Sequence, residues 1–167
     1  MDLRTTIIPG LLQTEDYARH VIRGMLPEAS DDEVERRVET RMRRQAVLDG
    51  LKLWAIIDEA ALRRQVGTPA EMRAQMEHLR QMMRRPGIVV QALPFEAGAH
   101  PAMLGAFAIL KFIEPVAPDI VYVEGLSNDL FLDDDASIKR YADTFEHLRA
   151  GAASPASTNS LLRELAE

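Results

Sequence analysis

Apolar residues recur along this chain at two periods, and the change from one to the other marks its elements. Tyr17, Val21 and Ile22 share a helical face behind Thr14, which is placed as an N-cap; Glu15 and Asp16 sit well in the first turn. This predicts a helix over about 15–25. Ser30 and Glu33 have capping-box spacing and open a helix to about Leu48, with Val34, Val38 and Met42 four apart. Asp49-Gly50 ends it. Leu51, Leu53, Ala55 and Ile57 then alternate with Lys52, Trp54, Ile56 and Asp58, the pattern of a largely buried strand. Asp58 is placed to cap a short helix over 59–66, closed by Gly67. Thr68 and Glu71 form a second box around Pro69, opening a helix to about Arg85 with Met72, Met76, Leu79 and Met83 on its stripe and Met82 beside it.

Past Pro86-Gly87 the period shortens. Residues 88–93 predict a strand and 94–104 a Gly/Pro-marked loop. Residues 105–113 and 119–124 predict two more strands, antiparallel and joined by a proline-containing turn. Asp133, Asp134 and Asp135 precede a helix whose stripe is Ile138, Tyr141, Ala142, Phe145 and Leu148. Gly151 to Ser160 reads as a small-residue linker before a short helix near 160–166. Helices early and late, with consecutive strands between, predict an α+β domain over 1–150. Its sheet is expected to be small, mostly antiparallel, of about four strands flanked by helices, with 151–167 as an appendage.

Composition narrows the function classes. A length of 167 residues suits one domain with its own core. The chain has no cysteine, which excludes disulfides and thiolate metal sites. No apolar run reaches the length of a membrane span, and the N-terminus lacks a signal-peptide pattern, so the expected location is the cytoplasm. Twenty basic against 26 acidic side chains give a net charge of −6, which argues against this chain itself gripping nucleic acid. The charge is uneven. Glu114, Asp119, Glu124, Asp129, Asp133, Asp134 and Asp135 follow one another with no Lys or Arg between them. Residues 36–44 hold five arginines against Glu39 alone. Each segment is either a solvated face or one that meets a partner of opposite sign.

The search for chemistry gives little. His20, His78, His100 and His147 lack metal-ligand spacing, and no phosphate loop or nucleophile elbow occurs. The best carboxylate pair is Asp58-Glu59 at a strand end, yet both residues have structural work: Asp58 as a cap, Glu59 four before Arg63. An enzyme would have only Asp58, Glu59, His100 and Glu124 to use. The three aspartates at 133–135 lack a calcium-loop pattern. No catalytic residue, metal site or cofactor is expected.

Several segments, in order, are more specific: IPGLLQTEDYA at 8–18, RMRRQAVL at 41–48, IDEAALRRQVG at 57–67, VVQALPFEAGAH at 89–100, GAFAILKF at 105–112 and IVYVEG at 120–125. Together they resemble the module that follows an Xre-type helix-turn-helix in actinobacterial transcriptional regulators, the WhiJ-like group. The resemblance implies a regulatory, antitoxin-like module with a small companion protein encoded nearby. DNA would be read only through a helix-turn-helix that these residues do not include. A homodimer would suit the paired half-sites such regulators read. On this reading Leu11, Leu12, Tyr17, Arg37, Arg41 and Arg44 are expected to meet the partner. A sensor of small molecules is the alternative, with a pocket formed by Trp54, Glu59, His100, Tyr122 and Glu124.

Overall fold

Side-chain caps set where the helices begin. Thr14 accepts the Tyr17 amide and starts α1 (Glu15–Met25); Ser30 accepts the Glu33 amide and starts α2 (Asp31–Arg44). Asp58 accepts the Ala60 amide at the head of α3 (Glu59–Arg63), and Thr68 and Glu71 close a reciprocal box at α4 (Pro69–Met82). Asp134 caps α5 (Asp135–Gly151) and Ser154 caps α6 (Pro155–Leu165). The box expected at Ser30 closes on one side only, because the Glu33 carboxylate turns outward to Arg37 at 2.8 Å. The α2 helix ends at Arg44, four residues early, and its last residues tighten into a 3₁₀ turn over Gln45–Asp49.

This computed structural model describes all residues except 5, 113–117 and 126–127. The proline-containing turn expected after residue 113 lies largely outside the described residues. Six strands form one mixed sheet: β1 (Asp2–Arg4), β2 (Leu53–Asp58), β3 (Ile88–Leu93), β4 (Phe107–Leu110), β5 (Ile120–Val123) and β6 (Leu130–Leu132), in the order β3-β2-β1-β4-β5-β6. The α+β class holds. The sheet matches the expected one only roughly: three of its five pairings are antiparallel, but it has six strands and is mixed, for two reasons. Two three-residue strands, β1 and β6, are added at positions with almost no alternation to mark them. And β1, β2 and β3 run parallel, since helices intervene between each pair and permit the crossover that parallel strands need. The β4–β5 pair is antiparallel, as expected, as are β1–β4 and β5–β6.

Two cores lie on opposite faces of this sheet. On one face Leu53, Ala55, Ile57, Ile88, Val90 and Ala92 pack against Tyr17 and Val21 of α1, Met72, Met76, Leu79 and Met82 of α4, and Leu162 of α6. On the other, Leu3, Ile56, Leu93, Phe107, Ile109 and Val121 pack against Phe145 and Leu148 of α5, and the Phe107 and Tyr141 rings meet edge to face at 4.9 Å. The segment expected to be a linker is corrected here. Helix α5 runs through Gly151, and α6 begins at Pro155 and is built into the first core. Buried Thr158 accepts the Ala92 amide of β3 at 2.9 Å, which pins α6 to the sheet. Met82, expected beside the stripe of α4, is buried, while Met83 is only partly so. The reason is that α4 packs against both α1 and α6, so its apolar face is wider than one stripe.

The opening segment is clasped by amides. Gln75 of α4 is fully buried; its Oε1 accepts the Thr14 amide at 2.7 Å and its Nε2 donates to the Leu12 carbonyl at 2.8 Å. Gln13 donates to the Ile8 carbonyl at 2.7 Å, and Gln45 donates to the Gln13 carbonyl at 2.7 Å. These three side chains satisfy a non-helical stretch whose own backbone cannot.

Candidate functional site

Polar groups gather at the carboxyl ends of the parallel strands, the side of such sheets where ligands often sit. Asp58 ends β2, and the loop after β3 folds back over it as two 3₁₀ turns, Phe95–Ala97 and Pro101–Leu104. Gly98 between them has φ +65°, a conformation that strains any side chain. The loop delivers His100, whose Nε2 lies 3.3 Å from Asp58 Oδ2, with only 11% and 16% of the two side chains exposed. The other ring nitrogen, Nδ1, is buried and has no hydrogen-bond partner among the described residues. Glu59 is buried beside them. Its Oε1 accepts from Arg63 Nε at 2.6 Å and its Oε2 accepts the Phe95 amide at 3.1 Å. Burial pushes this carboxyl up, but the Arg63 guanidinium and the Phe95 amide outweigh it and hold the group below its ordinary range.

The other residues expected to share a pocket do not join this cluster into one cavity. Trp54 lies at the opposite end of β2, where its Nε1 donates to Gln91 at 2.7 Å and Arg149 stacks on its ring at 4.9 Å. The strand register places Ile56, Leu3, Phe107 and Val123 in one row on the α5 face. Trp54 therefore faces α5, whereas Tyr122 faces the other way. Glu124 is exposed beyond the end of β5. Nearby space is an open surface groove of about 540 Å³ between Pro101 and α5, lined by Lys139, Arg140, Asp143 and His147. Among the described residues no group of three His, Asp or Glu side chains is arranged to hold a metal ion.

The residues expected to meet a partner divide sharply. Leu12 and Tyr17 are fully buried, so they are core and not docking surface; Tyr17 holds the segment through its hydroxyl, which accepts the Ile8 amide at 3.4 Å. Burial pushes that phenol up. Leu11 packs partly buried against the same core. Arg41 donates to Gln13 Oε1 at 3.0 Å and packs beside Gly10, which ties α2 to the opening segment. Arg37 pairs with Glu33, and Arg44 is exposed with no ion pair among the described residues.

The surface that the sequence reading missed lies on the antiparallel half of the sheet. Ala108, Tyr122 and Phe131 form one row across β4, β5 and β6 on the face away from α5, with the Tyr122 and Phe131 rings 5.1 Å apart. Leu110 shares this face, and Phe112 follows it in phase. No residue of β4, β5 or β6 joins the core under α1, α4 and α6. Leu110 stays 44% exposed, Phe112 41% and Phe131 62%, and Leu130 on the other side of the edge strand 51%. The signal available was the triplet Leu130-Phe131-Leu132 between aspartates, too short to register as a strand.

A family model described as Domain of unknown function (DUF5753) matches residues 1–164. No curated protein and no solved structure matches the chain.

Proposed function

The chain belongs to the DUF5753 family, and we propose that it serves as the regulatory, partner-binding domain of a transcriptional regulator, without catalysis of its own. The observation that carries this reading is the set of exposed apolar side chains on the outer face of β4–β6, above all Phe131, a face that joins no core with α1, α4 or α6 among the described residues. Exposed aromatic and aliphatic side chains clustered on one surface mark a place where another molecule sits. The polar residues support the same reading. Asp58 caps a helix, Glu59 fastens Arg63 to the loop, and His100 presents its remaining nitrogen to the protein interior, where it is badly placed to take a proton from a substrate. In this reading DNA is reached through a helix-turn-helix outside these residues, and the partner is a small companion protein encoded nearby. No described helix is long and apolar enough to cross a membrane.

Co-expression with the product of the adjacent gene, followed by light scattering on the purified material, tests the proposal. The expected result is a stoichiometric complex. Turnover of a substrate by the chain alone, abolished in Glu59→Gln, overturns it. The sensor reading has one observation in its favour: the Nδ1 of His100, without a partner among the described residues, under a loop with positive-φ glycines at 98 and 105. A metabolite panel scored by thermal shift separates the two, since a ligand at a hundredfold excess over its Kd adds about 2.7 kcal/mol.

A further inference from the structure

We infer that the partner docks on the open face and outer edge of β6, and that it does so as an extended segment with apolar residues at its centre and Lys or Arg on either side. This rests on the partner-binding reading and names the place and the chemistry. Three features of the surface point the same way. First, β6 is the last strand of the sheet among the described residues, so one side of its backbone has no neighbouring strand among them, and strand addition uses such groups for affinity and alternate side chains for specificity. Second, Phe131 on one face and Leu130 on the other are exposed and offer apolar contact on both sides of an added strand. Third, the edge is bracketed by acid: Asp129 stands before β6 and Asp133, Asp134 and Asp135 after it, all exposed. Lys111 is the sole Lys or Arg from residue 105 to 135. Two of these acids have local duties, since Asp129 accepts the Gly125 amide at 3.4 Å and Asp134 caps α5, but Asp133 and Asp135 extend the negative field without such a bond.

The same bracket argues against a second copy as occupant. Antiparallel pairing of two β6 strands centred on Phe131 would set Asp129 of each opposite Asp133 of the other, and like charges directly opposed across strands destabilise. A segment with basic flanks meets the reverse situation.

The test selects twelve-residue peptides from a random displayed library on the immobilised full chain and measures the winners as synthetic peptides by fluorescence anisotropy. Enriched peptides should carry alternate apolar residues flanked by Lys or Arg. Their affinity should fall by about tenfold or more in Phe131→Asp and in Asp133→Lys, weaken as salt is raised, and be unchanged in Glu28→Lys, an exposed acid elsewhere. Asp133→Lys keeps the inference testable should the aromatic change disturb the strand. Enrichment of acidic peptides, or binding indifferent to both variants, overturns the inference. Binding lost instead in Arg37→Glu would move the partner to α2, overturning this surface while leaving the partner-binding reading standing. A wild-type dimer that Phe131→Asp converts to monomer makes the occupant a second copy and also overturns it.

Discussion

The two halves of the sheet follow different rules. In the parallel half, β2 and β3 bury side chains on both faces, under α1, α4 and α6 on one side and α5 on the other. That is what parallel strands require. In the antiparallel half only the α5 face joins a core among the described residues. An antiparallel sheet tolerates one wet face, and that face is usually polar. Here it carries Leu110, Tyr122 and Phe131, with Phe112 just beyond β4. The first half spends its apolar residues on holding the chain together. The second presents some of them where the fold itself gains least.

Substitutions should separate the halves most clearly at Leu12. It is fully buried beneath α4, and a charge there has no partner. Leu12→Asp is expected to remove more than about 4 kcal/mol and to leave the chain unfolded, read as loss of a cooperative melt in circular dichroism. A normal melt would mean that the opening segment is not part of this core.

Next in size is the amide clasp. Gln75→Ala strips partners from the partly buried Thr14 amide and the buried Leu12 carbonyl, and leaving the two unpaired should cost about 2–4 kcal/mol. The urea midpoint should fall with its slope unchanged. A change in slope would instead indicate that the opening segment had come loose in the native state.

Smaller and pH-dependent is Glu59→Gln, expected to cost about 1–3 kcal/mol at neutral pH. Both bonds to the buried carboxylate contribute, and the charge part of the Arg63 contact is reduced by screening, since Arg63 is 42% exposed. The folded carboxyl titrates below the ordinary glutamate value of about 4.3. Its stabilisation is therefore complete above that value and is lost as pH falls through the lower folded pKa. Melting temperatures of wild type and Glu59→Gln, measured from pH 7 down to pH 3, should converge at the acid end. A gap that stays constant would show that the charge contributes nothing.

These residues also indicate what the sequence could disclose. Caps were legible because they are local: Thr14, Ser30, Asp58 and Thr68 each satisfy an amide two or three residues on, a relation fixed by spacing. The Glu59–Arg63 pair was legible for the same reason. What escaped depends on partners distant in sequence. Asp2–Arg4 and Leu130–Leu132 are strands because the sheet supplies neighbours, through Ala55 and Ala108 for Asp2 and through Tyr122 for Phe131. The Gly151–Ser160 stretch looked like a linker because its small residues lack periodicity, yet small residues let α6 lie close to β3. The Asp58–His100 contact joins residues 42 apart through a loop whose path no local rule sets. Trp54 and Tyr122 were grouped as pocket residues because aromatic type is visible in a sequence and sheet face across unpaired strands is not.

The smallest effect gives the sharpest comparison, because it uses neighbouring residues of one strand. Ile109 faces α5 and is fully packed, whereas Leu110, next along β4, faces outward and is 44% exposed. Ile109→Lys buries an unpaired ammonium and should unfold the chain. Leu110→Lys can keep the new charge solvated while its alkyl stem covers the part of the surface that the leucine buries, so it should change stability by less than about 0.5 kcal/mol. At this chain length that is a melting shift of about 1–2 °C. Lysine also suits an exposed position on this strand, since strand edges and wet faces commonly carry it. If Leu110→Lys instead destabilised the chain by several kcal/mol, the outer face of β4 would have to be covered in the folded protein, and the contrast between the two halves of the sheet would collapse.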